Sequence, residues 1–430
     1  MDLFSQTLNV SVTVVTILFI FGSVALIKTV RRKLAPVWII TIGFGVAAVF
    51  SFALWLSFFL AYSQDQIPYS GMLWSLPFGF SLYLLAISLK SKRQSIISLL
   101  AVICSVILLL INVNNYYHYY PTLDAVFQTD KPADMVNQLT AQSTSKSSVS
   151  LEQYYQALPG QSSRGQLLAL NIASSLPTFL PREGRIYLPP ALQGNDQIKL
   201  PVIVLLAGYP GSPIHWEQAG ILKIMDTFSA AHKGLAPIVA VVDFTGTKDI
   251  DTECVDSAQG SAETYLTKDV PAYLKQHYQV QNDPSAWAIG GYSAGGTCGP
   301  LIALRNPTIY QNFINISGDA MPSLGNDAKT LNVLFDGSQQ KLLEHTPDYL
   351  LKIGNPLYSK IHGWYFYGKQ DNPSLVHRMH DQYNLAKQAG LTVEISGMDG
   401  HHGFTVWKEG YIEGLPWISY QMKLTTYDKK

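Results

Sequence analysis

Ala286-Trp-Ala-Ile-Gly-Gly-Tyr-Ser-Ala-Gly-Gly-Thr297 is the stretch on which the reading of this chain turns. The apolar run Trp287 to Ile289 reads as a short buried strand. Gly291-Tyr292-Ser293-Ala294-Gly295 follows it, and small residues then open a helix. A serine on a sharp strand-to-helix turn, with glycine two residues away on either side, is the pattern of a nucleophile elbow. The glycines have a mechanical reason: the serine backbone is strained, and strand and helix pass too closely for side chains at 291 and 295. A Gly/Ser-rich turn without chemistry would show the same five letters. A base, an acid and an oxyanion-binding loop must therefore come from elsewhere in the chain.

A serine hydroxyl is a weak nucleophile near neutral pH and needs a base held in place by a third group. After an elbow of this type the partners follow in the order acid, then histidine. Asp399-Gly-His-His-Gly-Phe404 comes directly after the last strand-like run and offers two histidines. His402 is favoured over His401, because Trp407 lies five residues beyond it and could pack beneath the imidazole loop. For the acid, Asp371 follows Trp364-Tyr-Phe-Tyr-Gly, and Asp319 in Ser317-Gly-Asp-Ala is the alternative one strand earlier. Either aspartate could instead cap a turn or helix.

An oxyanion needs two preorganised N–H donors. One is the backbone of Ala294. The other is expected from residues 207–213, Ala-Gly-Tyr-Pro-Gly-Ser-Pro, where Gly208 lets the chain turn and Tyr209 supplies the N–H. The prolines have none to give. Cys254, in the loop after the strand ending near Asp243, and Cys298, one turn into the elbow helix, could pair as a disulfide or remain free buried thiols. No Cys or His cluster has metal-ligand spacing, and no Gly-rich loop has a phosphate-binding pattern, so no cofactor or metal is expected.

Strand-like runs at 166–172, 185–189, 201–207, 237–243, 313–317, 364–367 and 392–395 alternate with helical patterns at 216–232, 262–277, 373–389 and 407–424. Continuous apolar runs such as 201–207 suit parallel strands covered on both faces. The alternation predicts an α/β fold, a three-layer sandwich around a mostly parallel sheet, over 165–430 without a large lid. Residues 121–164, rich in Ser, Thr and Gln, read as a polar linker.

The chain begins differently. Four uncharged apolar blocks at 8–27, 37–62, 72–89 and 95–113 are each close to the ~20 residues that cross a bilayer. They predict a four-helix transmembrane domain over 1–120, with Cys104 as a small apolar side chain inside the fourth span. Residues 1–113 carry seven Lys/Arg against Asp2 and Asp65. Lys28, Arg31, Arg32, Lys33 and then Lys90, Lys92, Arg93 fall in the first and third connecting loops. The positive-inside rule puts those loops in the cytoplasm and the C-terminal domain outside. No span carries an ionisable residue near its centre, so an anchor is expected rather than an ion path. Tyrosines of Asn114-Asn-Tyr-Tyr-His-Tyr-Tyr-Pro121 suit the outer interface. No basic cluster outside the apolar part suggests nucleic-acid binding.

Residues 202–211 with Trp216, 251–257, 291–295 and 400–407 together resemble the esterase-D-like branch of the α/β-hydrolases, which includes S-formylglutathione hydrolase-like esterases and the secreted mycolyltransferases. The resemblance covers about 165–420; the four-span arrangement resembles membrane-tethered esterases of Gram-positive envelopes. It implies an acyl-enzyme on Ser293, with His402 and Asp371 completing the triad, Tyr209 and Ala294 forming the oxyanion hole, and Trp216 and Tyr292 contacting substrate. The expected partner is an acyl ester, with an envelope lipid among the candidates, taken by a membrane-embedded extracytoplasmic enzyme. Where the mycolyltransferases carry a charged Asp and Arg that grip trehalose, this chain has Ala207 and Pro210, which argues against trehalose. Acyl transfer to another acceptor, or envelope lipid or glycan binding without turnover, are the competing expectations.

Overall fold

A computed structural model describes residues 6–30, 42–52, 73, 75–89, 91–117, 150–158, 162–195, 197–247 and 250–427. The chain divides into two compact units, Met1–Gln128 and Thr129–Lys430.

In the first unit, four helices are described: α1 (Gln6–Val30), α2 (Ile42–Phe52), α3 (Leu76–Ser88) and α4 (Lys92–Tyr117). Ala47, Phe80 and Leu84 form a small buried cluster on which Ile20 and Val24 pack. The Ser81 and Ser105 hydroxyls meet at 2.9 Å, which satisfies two polar groups between α3 and α4. Among the described residues the four full-length spans expected from sequence are not shown. Among the described residues one helix, Lys92–Asn115, is long and apolar enough to cross a membrane, and the other apolar helical stretches, Ser11–Phe21, Ile42–Phe52 and Leu76–Ser88, are shorter. For α3 the cause is local: Pro77 sits in its first turn and only 13 residues are helical, about 20 Å of rise. The second expected span falls largely outside the described residues, as do His118 and most of the linker.

The second unit is built on an eight-stranded sheet. Its strands are β1 (Gln166–Leu170), β2 (Gly184–Leu188), β3 (Val202–Leu206), β4 (Ile238–Val241), β5 (Trp287–Tyr292), β6 (Asn312–Ile316), β7 (His362–Gly368) and β8 (Thr392–Met398). They lie in the order β1-β2-β4-β3-β5-β6-β7-β8. Only β2 runs against the rest; β4 through β8 pair in parallel. Every residue of β3 is buried, as its unbroken apolar run requires of a strand covered on both faces.

Strand alternation sorts the two covering layers. Val202, Val204, Ile289, Phe313 and Tyr365 share one core with Leu266, Val270, Leu274, Ile302, Met379 and Ala386. These last residues come from the helices Val270–His277, Ala294–Arg305 and Pro373–Gln388 and the π-helical turn Tyr265–Asp269 before the first of them. On the opposite face the Trp364 indole N–H donates to the Gly410 carbonyl of the helix Phe404–Gln421 at 3.0 Å, and Tyr411 of that helix reaches Met225 of the helix Ile221–Ala231. The result is the expected three-layer α/β sandwich.

Three local readings change. The helix expected over 216–232 is two pieces, Ile214–Gln218 and Ile221–Ala231, because Gly220 adopts φ +87° between them. Residues 327–353, unassigned from sequence, form three short helices between β6 and β7. Within the stretch read as linker, Leu151–Tyr154 is helical and docks on the sandwich. Its Leu151 and Glu152 N–H groups bond the Lys423 and Leu424 carbonyls, and Tyr155 is buried in the main core.

Cys254 and Cys298 are joined as a disulfide with Cα atoms 5.7 Å apart, tying the loop after β4 to the elbow helix. Replacing Cys254 and Cys298 together by serine should lower the unfolding free energy by about 4 kcal/mol, the loop-closure entropy expected for their 44-residue separation. Denaturant unfolding followed by tryptophan fluorescence would measure it, and an unchanged midpoint would contradict the brace.

Candidate active site

The site is assembled at the carboxyl ends of β5, β7 and β8. Ser293 follows the last residue of β5 and caps the helix Ala294–Arg305 with φ 53° and ψ −125°, a left-handed conformation that costs a non-glycine residue about 1–3 kcal/mol. The surroundings enforce it. The Ser293 N–H bonds the Ile316 carbonyl at 2.9 Å, and the Ser293 carbonyl accepts from Thr297 N–H at 3.0 Å. A Cβ on Gly291 would collide with the Leu206 carbonyl, and one on Gly295 would lie 2.5 Å from the Ala207 carbonyl oxygen. The glycine pattern is thus a packing requirement between β5, its helix and β3.

His402 stands between the other two groups. Its Nε2 lies 3.0 Å from the Ser293 hydroxyl, and its Nδ1 lies 2.8 Å from Asp371 Oδ2. Nδ1 therefore carries the proton and donates to the carboxylate, which leaves Nε2 to accept from the serine. The Asp371 side chain is only 3% exposed, and its second oxygen accepts the Asn372 N–H at 2.7 Å. A buried carboxylate with both oxygens engaged fixes the imidazole tautomer and stabilises the imidazolium form.

Both alternatives from the sequence are occupied elsewhere. His401 donates from Nδ1 to the Gln370 carbonyl at 2.9 Å, part of a ladder in which Lys369 N–H meets Met398 and Gln370 N–H meets Gly400. Asp319 is forked by Arg378, at 3.0 Å from each of two guanidinium nitrogens. The structure thus brings Ser293, His402 and Asp371 together and leaves His401 and Asp319 out.

Aromatic rings support this arrangement from below. Trp407 meets His402 edge-on, with centroids 5.2 Å apart, and stacks on Tyr292 at 4.2 Å. Trp216 packs against Tyr292 at 5.3 Å and donates its indole N–H to the Leu206 carbonyl. This corrects the expectation that Trp216 and Tyr292 contact substrate. They are 1% and 2% exposed, Trp216 packed against Tyr411 and Tyr292 stacked on Trp407 in the floor of the site.

The loop expected to complete an oxyanion hole does lie over the nucleophile. A Cβ on Gly208 would come within 2.9 Å of Ser293 Cβ, so the glycine is needed for close approach, and its φ is not left-handed. Gly211 N–H bonds the Gly208 carbonyl at 2.7 Å and closes the turn that carries Tyr209. Ala294 sits where the elbow helix begins.

Two sets of charged residues near these loops escaped the sequence reading. Arg182 and Asp243 form a fork at 2.8 and 3.1 Å; they are 61 positions apart and no local pattern links them. Asp251 and Glu253 lie together under the loop that carries Cys254. Burial, with Asp251 beside it, pushes the Glu253 carboxyl well above the usual range, and burial raises Asp251 to about 6. Glu253 and Cys254 are both left-handed, which turns the cysteine toward Cys298.

Residues 180–418 match the Esterase family, described as "Putative esterase". An uncharacterised protein of Corynebacterium glutamicum is 37% identical over 246 residues, 56% of this chain and 58% of that protein. The match thus spans less than two thirds of that relative's length. Among solved structures, a ferulic acid esterase is similar at a TM-score of 0.52 and 18% identity, covering 60% of this chain and 99% of its own. An S-formylglutathione hydrolase from Agrobacterium tumefaciens is similar at 0.50 and 16%, covering 61% and 97%. At such identities the two structures speak for the fold alone.

The geometry distinguishes the two aspartates by experiment. Asp371→Asn should slow labelling of Ser293 by a fluorophosphonate by about 10³-fold or more, through the wrong imidazole tautomer. Asp319→Asn should leave the labelling rate within about twofold, since Asp319 is bound to Arg378. The reverse pattern in time-resolved labelling would reassign the acid.

Proposed function

This chain belongs to the esterase family, and on that premise we propose that its C-terminal domain is a serine carboxylesterase that cleaves acyl esters through an acyl-enzyme on Ser293. The observation that carries this reading is the continuous bonding of His402 to Ser293 at 3.0 Å and to Asp371 at 2.8 Å.

The chemistry follows from that contact. Ser293 Oγ attacks the ester carbonyl as its proton passes to His402 Nε2, and the carbonyl oxygen becomes an oxyanion. Backbone N–H groups of Ala294 and Tyr209 receive that charge. As the tetrahedral adduct collapses, the C–O bond to the alcohol breaks and the imidazolium proton goes to the departing oxygen. Water then attacks the acyl-Ser293 carbonyl with His402 as base, releasing the acid and restoring the hydroxyl. Acyl transfer would differ only in replacing this water by an acceptor alcohol.

The reading includes a place of action: a membrane anchor in the N-terminal unit, with the catalytic domain outside the cytoplasm. Lys92–Asn115 is long and apolar enough to span, and Lys90, Lys92 and Arg93 mark its starting end as cytoplasmic. Leu18, Phe21, Val49 and Leu110 are exposed apolar side chains on the described helices, as a lipid-facing surface needs. The buried Cys254–Cys298 disulfide suits an oxidising exterior. Envelope lipid or cell-wall esters are the substrates such a location favours.

Hydrolysis rates over a series of p-nitrophenyl esters of increasing chain length should show turnover that Ser293→Ala reduces by about 10³-fold or more. A folded wild-type protein that hydrolyses none of them would overturn the esterase reading. For the location, the full chain should stay in the membrane pellet after alkaline carbonate washing, and external protease should digest the catalytic domain on intact spheroplasts. Protection there would place the domain inside.

A further inference from the structure

The loop over the nucleophile, residues 207–213, has no sheet ladder and no helix to hold it, yet an oxyanion hole works only when its donors are fixed before the charge develops. Resting on the serine-esterase reading, we infer that Arg182 is the positioning residue of this loop, holding the Gly211 carbonyl so that the Tyr209 N–H stays aimed at the oxyanion.

The location of Arg182 comes from sheet topology. Because β2 alone runs antiparallel, the chain just before it lies at the carboxyl edge of its neighbours, beside the end of β4. There Asp243, 2% exposed, grips Arg182 three times. It accepts from the Arg182 backbone N–H at 2.9 Å, from Nε at 3.1 Å and from Nη2 at 2.8 Å. Asp243 is itself fixed by the N–H groups of Thr245 and Gly246, at 3.3 and 2.9 Å, and by the Thr245 hydroxyl at 3.1 Å. A fork bound in this way leaves the guanidinium little rotational freedom.

From that fixed point Nη2 also donates to the Gly211 carbonyl at 2.8 Å. Gly211 in turn donates its N–H to Gly208 at 2.7 Å, and Gly208 lies against Ser293. The path from Asp243 to Gly208 is therefore a chain of named bonds with the Tyr209 peptide inside its last turn, and Gly208 lies in close contact with the nucleophile. His215 holds the following peptide, accepting the Ser212 N–H at Nδ1, 3.3 Å away. Burial first, and then the Arg182 charge, lower His215 to about 4, so the ring is neutral and can accept. A Cβ on Gly211 would sit 2.7 Å from that nitrogen and 2.5 Å from the Gly208 carbonyl oxygen, so the turn packs too closely for a side chain there.

A lysine has a single nitrogen and cannot reproduce the fork in which Nε and Nη2 together fix the guanidinium on Asp243 while Nη2 also holds Gly211. The test uses the full chain with Arg182→Lys and Arg182→Ala, and Arg378→Ala as a comparison outside the loop. Three quantities are read: kcat, KM, and the inhibition constant of an alkyl boronic acid, whose tetrahedral adduct on Ser293 places an oxygen in the hole. Both Arg182 variants should lose about 10- to 100-fold in kcat, less than the 10²–10³ of deleting a donor outright. KM should stay within about threefold, and boronate affinity should fall in parallel with kcat. Added guanidinium at tens of millimolar should restore part of the Arg182→Ala activity and none of Arg378→Ala, whose rate should be near wild type. If Arg182→Ala does not fold, Arg182→Lys carries the test through the same three readouts. Unchanged kcat and boronate affinity in a folded variant would overturn the inference while the esterase reading stands. A kcat loss without loss of boronate affinity would also overturn it. A wild-type chain that is neither active nor labelled at Ser293 would end both.

Discussion

The backbone of Ser293 is the constraint around which this protein is arranged. A serine at φ 53° is held there only because its neighbours leave no alternative. The β6 carbonyl of Ile316 takes its N–H, the first turn of the elbow helix takes its carbonyl, and β3 presses its Leu206 and Ala207 carbonyls against glycines on either side. Relaxing the serine would mean separating β5 from β3 or lifting the helix from the sheet. The stability of the central strands is thus the source of the exposed, aimed hydroxyl.

The same sheet decides what the hydroxyl meets. β7 and β8 end level with each other in parallel register, Gly368 opposite Met398, so the loops beyond them start side by side. Backbone bonds from Lys369 and Gln370 to Met398 and Gly400 continue the ladder into those loops and deliver Asp371 and His402 together. Trp407, at the start of the closing helix, then supports the imidazole from below. Where no ladder continues, as in residues 207–213, side chains do the work. Arg182 and His215 hold one carbonyl and one N–H of a loop that regular structure leaves alone.

The disulfide and the buried carboxyls belong to the same wall. Cys254 reaches Cys298 because Glu253 and Cys254 both turn left-handed, and burial, with Asp251 beside it, pushes the Glu253 carboxyl well above the usual range. The docking of Leu151–Tyr154 against Lys423 and Leu424 closes the domain at its other margin, bringing its first and last segments together.

Short-range patterns were enough for much of this. The elbow, the apolar strand runs and the order serine, aspartate, histidine are local signals, because glycine clearance and strand burial act on neighbouring residues. The helix from 294 to 305 and the strands around it fall where those signals place them. Sequence favours His402 over His401 and Asp371 over Asp319 without deciding either, since it cannot say which side chain Arg378 or Gln370 has already engaged. The floor role of Trp216 and Tyr292 and the fork of Arg182 on Asp243 are beyond its reach for the same reason, and the Cys254–Cys298 pair is named from sequence without a decision between a disulfide and free thiols. Each joins residues that are far apart in the chain, and the Ser293–His402 contact itself spans 109 positions. Only the register of a folded sheet fixes such distances, so the sequence determined which groups were on hand and the tertiary structure decided which of them meet.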